Sequence, residues 1–336
     1  MEEKRFDPLQ FIGFLLISGI LMFWFYDNQS NLIENQEEIV DDSQIEVVEQ
    51  PSNIIDSTNN DYQNDDKFSE NIIVLENSKI LLEVSTKGAE IKSLMLKEFN
   101  NYNDDPLFLI DNNKSIFSFN IPVGRNSNIN SQDLNYTAEI IDENSSLKLK
   151  AQIDSRSELE LSFFLADNSS IVDLELDIIN NTNSSYENVE LIWGRDSFRN
   201  SKSIDYENRY TALSYGFENN KDSYLSVAGT TNKVIDNVNW VSFREHFFSS
   251  ILILNNESNQ VEISSEDLAG NDALDKKFTK RFLANIPLSL DSDNQLSFSM
   301  YFGPTDYETL KEYNLNLENS VPIGWGIFGW LNRFIF

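Results

Sequence analysis

Apolar and polar positions alternate along most of the chain between residue 71 and about residue 318. Leu147, Leu149, Ala151 and Ile153 are separated by polar residues, as are Leu159, Leu161, Phe163 and Leu165, and then Val172, Leu174, Leu176 and Ile178. Leu296, Phe298, Met300 and Phe302 repeat the pattern near the end. A period of two turns one face of a strand to a core and the other to water. Residues directly opposite in an antiparallel pair share a face. Matching the apolar rows therefore pairs Ile153 with Leu159 around a loop at 154–158, and Leu165 with Val172. A one-residue slip would set apolar rows against polar ones, so the register is well specified. Turn-forming clusters at Asp142–Ser146, Asn180–Asn183, Asn219–Asp222 and Asp291–Asn294 separate the runs. Many short strands between such clusters predict a mainly β sandwich or barrel, in one large double sheet.

One helix is predicted, at about 305–315, packed on the sheet. Gly303-Pro304 ends the last strand, and Thr305 with Glu308 makes a T-x-x-E capping box. Tyr307, Leu310 and Tyr313 then share a face.

The two ends of the chain read differently. Residues 8–26 carry no charge and include the run FIGFLLISGILMFWFY. As a helix this stretch spans about 28 Å, against about 30 Å for a bilayer core. Phe11, Leu15 and Leu16 fall in its apolar body, and Trp24 and Tyr26 lie at its outer end, where amphipathic rings favour the headgroup layer. A buried soluble helix would carry polar punctuation. A cleaved signal peptide would end in small residues rather than bulky aromatics. Residues 1–27 are therefore expected to form a short N-terminal segment and an uncleaved transmembrane anchor. Lys4 and Arg5 precede the helix, and the next basic residue is Lys67, so the N-terminus is expected in the cytoplasm and the rest outside.

Residues 28–70 are acidic and lack sustained periodicity. So little apolar surface cannot offset chain entropy, and the expectation is a disordered linker with a coil reach of about 35–40 Å. Residues 319–336 end in VPIGWGIFGWLNRFIF, with Arg333 as the one charge after Val321. Trp325, Trp330 and Arg333 fit an interfacial segment leading to a further membrane region. The alternative is an apolar strand tucked into the core.

Composition narrows the chemistry. The 336 residues include 55 acidic and 25 basic side chains, for a net charge of −30. Such a chain repels phosphate at long range, so no nucleic-acid partner is expected. There is no cysteine and one histidine, His246. Disulfides, thiolate chemistry and any site built on two histidines of this chain are excluded. No phosphate loop, G-x-S-x-G, H-E-x-x-H or EF-hand spacing occurs. His246 reads as a partly buried side chain in an aromatic-rich strand. No catalytic, cofactor or metal site is expected, and no enzyme activity.

Several segments together resemble the YidC family of bacterial membrane protein insertases (the YidC/Oxa/Alb group). They are Met1–Asp7 running into the anchor, Gly88-Ala89-Glu90-Ile91-Lys92-Ser93-Leu94, Trp240-Val241 through His246-Phe247-Phe248-Ser249, Tyr301-Phe302-Gly303-Pro304-Thr305-Asp306-Tyr307, and Ile323-Gly324-Trp325-Gly326-Ile327-Phe328. Thr305 stands where the family's G-P-K segment has lysine. The resemblance implies a periplasmic β-supersandwich, like that of galactose mutarotases, over residues 71–318. It implies a location in the inner membrane, and a role in inserting and folding inner-membrane proteins, alone or with the Sec translocon. Nascent inner-membrane proteins, Sec components and the lipid bilayer would be the partners. The family's membrane core, with its arginine-bearing groove, would follow Phe336. A tethered carbohydrate-binding or scaffold domain is the alternative. Mutarotase-like catalysis typically uses two histidines and a carboxylate, which one histidine does not supply.

Overall fold

The computed structural model describes residues 68–321, apart from 112–114, 124–126, 181–185, 187, 219–220 and 270–276. Nineteen strands follow in chain order among them. The first nine are β1 (Ile72–Glu76), β2 (Ile80–Ser85), β3 (Ile91–Asn100), β4 (Pro106–Asp111), β5 (Ser115–Pro122), β6 (Asn128–Asn130), β7 (Thr137–Asp142), β8 (Ser146–Gln152) and β9 (Ser157–Phe164). After β10 (Ile171–Asn180) and β11 (Asn188–Phe198) comes a short helix, α1 (Ile204–Tyr210). The chain continues through β12 (Ala212–Phe217), β13 (Lys221–Tyr224), β14 (Thr231–Ile235), β15 (Val238–Arg244), β16 (Phe248–Ser258), β17 (Val261–Asp267), β18 (Phe278–Ser289) and β19 (Gln295–Pro304). It closes with α2 (Tyr307–Lys311) and a 3-10 turn at Leu317–Ser320.

The strands form three antiparallel sheets: β1-β2-β3-β4, the nine-stranded β13-β12-β15-β16-β19-β10-β9-β8-β7, and the six-stranded β14-β17-β18-β11-β5-β6. The principal core lies where the apolar rows of the sheets meet. Trp193 of β11 stacks on Phe243 of β15 at 3.8 Å, and Phe117 of β5 reaches Phe298 of β19 at 6.4 Å. Leu147, Leu149, Leu159, Phe163, Val172 and Leu176 are all buried in that core, as the alternation requires. The four-stranded sheet is fastened by Asn77, which donates to Ala166 O and Ser169 O in the β9–β10 turn.

The register of the β9–β10 hairpin is the one read from the sequence, with Phe164 opposite Asp173 and Phe163 opposite Leu174. In the β8–β9 hairpin Leu159 faces Ala151 rather than Ile153. The two-residue offset keeps every side chain on its expected face. Its cause is a tighter turn, in which Asp154 Oδ1 accepts from the backbone N–H groups of Arg156 and Ser157 while Ile153 N donates to Ser157 O.

The other face of the nine-stranded sheet is covered at one end by the C-terminal segment. Trp240, Ile251, Ile253 and Tyr301 form a second cluster there with Leu310 of α2 and Leu317. This helix is shorter than the expected 305–315, and Thr305 is not its cap. Thr305 N donates to Phe247 O and its hydroxyl bonds Ser249 Oγ at 2.7 Å, which holds it to the sheet. Asp306 caps instead, accepting from Thr309 N at 2.9 Å. Asn314 and Asn316, both at positive φ, end the helical run. Gly303 ahead of it is required sterically, since a Cβ there would lie 2.6 Å from the Tyr301 hydroxyl that bonds Pro304 O. Among the described residues no helix is long and apolar enough to cross a membrane.

Candidate functional site

Charged side chains are buried together where the three sheets meet. Arg195 projects inward from β11, and Glu245 sits in the turn between β15 and β16. They pair at 2.9 Å with side chains 1 % and 0 % exposed. Arg195 Nη1 also donates to Leu109 O of β4, so one guanidinium touches all three sheets. Asn200 Nδ2 donates to Glu245 Oε2 at 2.8 Å. Glu207 of α1, fully buried, accepts from the backbone N–H groups of Asn200 and Ser201 and so shapes the link from β11 into the helix. Ser203 caps α1 by accepting from Tyr206 N.

Burial dominates the electrostatics. It pushes the Glu245 carboxyl up to about 7, against the opposing pull of Arg195, and the nearby Glu207 adds to the rise. Glu207 is also pushed up by burial, partly offset by its two backbone donors. Burial lowers Arg195, yet a guanidinium remains charged at any physiological pH. Arg244 is pushed down to about 10 by burial, with Tyr224 pulling the other way. Its guanidinium binds two carbonyls: Nε donates to Tyr210 O at 3.3 Å and Nη1 to Ser320 O at 2.8 Å.

His246 lies in the turn between β15 and β16, not in a strand as expected, because Glu245 N already donates to Phe248 O and closes the turn. It is partly buried, as expected. Its ring stands 4.7 Å from Tyr210, 5.0 Å from Tyr206 and 3.9 Å from Phe247. Its Nδ1 has no hydrogen-bond partner among the described residues, and burial lowers its pKa. The pair nearest to catalytic chemistry, Arg195 and Glu245, is closed to solvent. This arrangement fastens the sheets together beside a set of aromatic rings.

The membrane-contact residues read from the sequence, Phe11, Leu15, Leu16, Trp24, Tyr26, Trp325, Trp330 and Arg333, lie outside the described residues, as do the anchor and most of the linker. Of the resemblance segments, Gly88–Leu94 forms the turn into β3, Trp240–Ser249 forms β15, its turn and the start of β16, and Tyr301–Tyr307 leads from β19 into α2. The last two meet, through Thr305 and Phe247. Sequence reasoning did not find Arg195, Glu207 or α1. The signal that could have found the helix was Ser203 followed by acids at 205 and 207 and tyrosines at 206 and 210, a capped turn with an i, i+4 aromatic pair.

An open depression of about 560 Å³ on the six-stranded sheet is lined by Val234, Glu262, Leu283 and Asn285, among others. No reactive set converges on it.

Residues 72–336 match the family model described as the YidC periplasmic domain. The chain is 29 % identical over 278 residues to a membrane protein insertase YidC of Parabacteroides distasonis, covering 79 % of this chain and 43 % of that protein. It is 26 % identical over 351 residues to the same-named protein of Azobacteroides pseudotrichonymphae, covering 97 % and 56 %. The chain thus spans about half the length of the relatives it matches. Among solved structures, a galactose mutarotase-like protein from Lactobacillus casei covers 70 % of this chain and is itself covered completely, at 11 % identity and a TM-score of 0.46. So weak a likeness decides nothing about chemistry. The match over 72–336, on a mainly β domain in which the three described resemblance segments fall in sheets and adjoining turns, places the chain in the YidC periplasmic-domain family; the segments at 1–7 and 323–328 lie outside the described residues.

Proposed function

We propose that the chain is the membrane-anchored periplasmic part of an insertase that helps inner-membrane proteins insert and fold, alone or with the Sec translocon. The family match over residues 72–336 is the observation that carries this reading. In it, residues 8–26 anchor the chain with the N-terminus in the cytoplasm, and residues 28–70 are a solvated spacer. The β domain stands in the periplasm, and residues 322–336 lie in the outer interface of the inner membrane. The uncharged run of the anchor and the basic residues confined to its cytoplasmic flank support that orientation. Nascent inner-membrane proteins, Sec components and the bilayer are the partners. The domain contributes attachment and contact rather than turnover, since its buried Arg195–Glu245 pair is closed to solvent.

The test is depletion of this protein in its own cells. Newly made inner-membrane proteins should then remain sensitive to extraction by alkaline carbonate. Protease added to spheroplasts should remove the β domain and leave the N-terminus protected. Normal insertion after depletion would overturn the function, and a β domain protected in spheroplasts would overturn the orientation.

A further inference from the structure

The described chain ends at Val321 beside a surface unlike the rest of the domain. Four rings meet there: Tyr206 and Tyr210 of α1 stand 5.1 Å apart, His246 packs against both, and Phe247 packs against His246. Tyr206 is 47 % exposed, Tyr210 36 % and Phe247 50 %, and Tyr224 at the neighbouring sheet edge is 63 % exposed. Isolated exposed rings are ordinary, but a contiguous set marks a contact surface.

Two observations decide what the set contacts. The first is its distance from the chain's exit. The Arg244 guanidinium binds the Tyr210 carbonyl and the Ser320 carbonyl together, so α1 and the exit are held within the span of one side chain. The next fifteen residues carry two tryptophans and a single charge. The second is charge. Residues 199–211 bear Arg199, Lys202 and Arg209 against one exposed acid, Asp205, because Glu207 is buried. This local excess of positive charge sits in a chain of net charge −30.

Tyrosine and histidine rings with a polar edge, flanked by basic side chains, suit the headgroup layer of a bilayer with anionic lipid. We propose that the surface formed by Tyr206, Tyr210, Tyr224, His246 and Phe247 rests on the outer leaflet of the inner membrane beside the point where the chain meets it. This rests on the reading above that residues 322–336 are interfacial. The junction of Arg195, Glu245 and Glu207 then also fixes the orientation in which the β domain stands on the lipid.

The absence of native cysteine makes the test direct. Single variants Tyr206→Cys, Phe247→Cys and, at the far edge of the nine-stranded sheet, Ile140→Cys carry nitroxide labels in the full chain, reconstituted into vesicles of phosphatidylethanolamine and phosphatidylglycerol. Labels at 206 and 247 should be relaxed more by oxygen than by a water-soluble nickel chelate, with the reverse at 140. Equal nickel access at all three sites, in chains that float with the vesicles, overturns the lipid contact alone. Chains that do not float overturn this proposal and the membrane reading together. Labels that are open to nickel in pure lipid but immobilised in native inner membranes overturn it in favour of a protein partner.

Discussion

On the outer face of the nine-stranded sheet, Glu160 lies between Lys148 and Lys150, at 2.7 and 3.3 Å. At the junction of the three sheets, Glu245 faces Arg195 at 2.9 Å. The ionic partners are similar, but the surroundings are not. Around Glu160, burial pushes the carboxyl up, but hydrogen bonds and charge from two partly exposed lysines outweigh it, and the net shift is downward. Around Glu245 burial prevails and the shift is upward. The outer cluster stabilises the sheet through a covered carboxylate held between two lysines that keep part of their hydration. The junction holds its charges where desolvation costs more than the pair returns, and so contributes position rather than stability.

The most severe way to break this comparison is to remove one partner of the buried pair. Glu245→Ala leaves Arg195 charged and unpaired, and should cost roughly 3–5 kcal/mol. Urea unfolding followed through Trp193 and Trp240 measures it, and a loss below about 1 kcal/mol would show that water reaches the site. Replacing both partners, Arg195→Met with Glu245→Leu, should recover most of that loss, because apolar groups of similar volume suit the site better than an unpaired charge.

The pH dependence separates the clusters by sign. Glu245 titrates near 7 when folded and near 4.5 in its ordinary state, so the folded protein holds more protons between those values. Its contribution to stability therefore falls as pH rises from about 4.5 to about 7, and Glu245→Gln should remove that slope. Glu160 lies below its ordinary value, so its contribution is present above about 4.5 and is lost as pH falls through the folded value. Glu160→Gln should flatten acid unfolding and lower stability by a constant amount across the neutral range. The smallest effect belongs to the Lys148–Glu160 pair. A double-mutant cycle should give a coupling below about 1 kcal/mol that shrinks with added salt.

The sequence carries the regular part of this design and little of the junction. Strands from Leu147 to Ile178 are legible because each buries one face, and a period of two is visible without knowing the partner. The β8–β9 register differs by two because the turn is set by the Asp154 side chain, which alternation does not report. The C-terminal helix is legible but shorter than its pattern, since a threonine that looks like a cap is held by a hydrogen bond to Phe247, 58 positions earlier in the chain. Arg195 and Glu245 are invisible for a related reason. A charged residue at an inward strand position looks like a break in the pattern until its partner, fifty residues away, arrives beside it.

The cover over the outer face has a mechanical consequence. The chain passes from β19 through α2 and the 3-10 turn to Val321. Tension applied beyond that point loads the Arg244–Ser320 hydrogen bond first, and next the small cluster of Leu310 and Leu317. Strand β19 lies behind them, held between β10 and β16 by seven residue pairs on each side. A few contacts in series with two full ladders make a fuse. Under load the cover peels away, baring Trp240, Ile251 and Tyr301, while the sheets behind it stay whole.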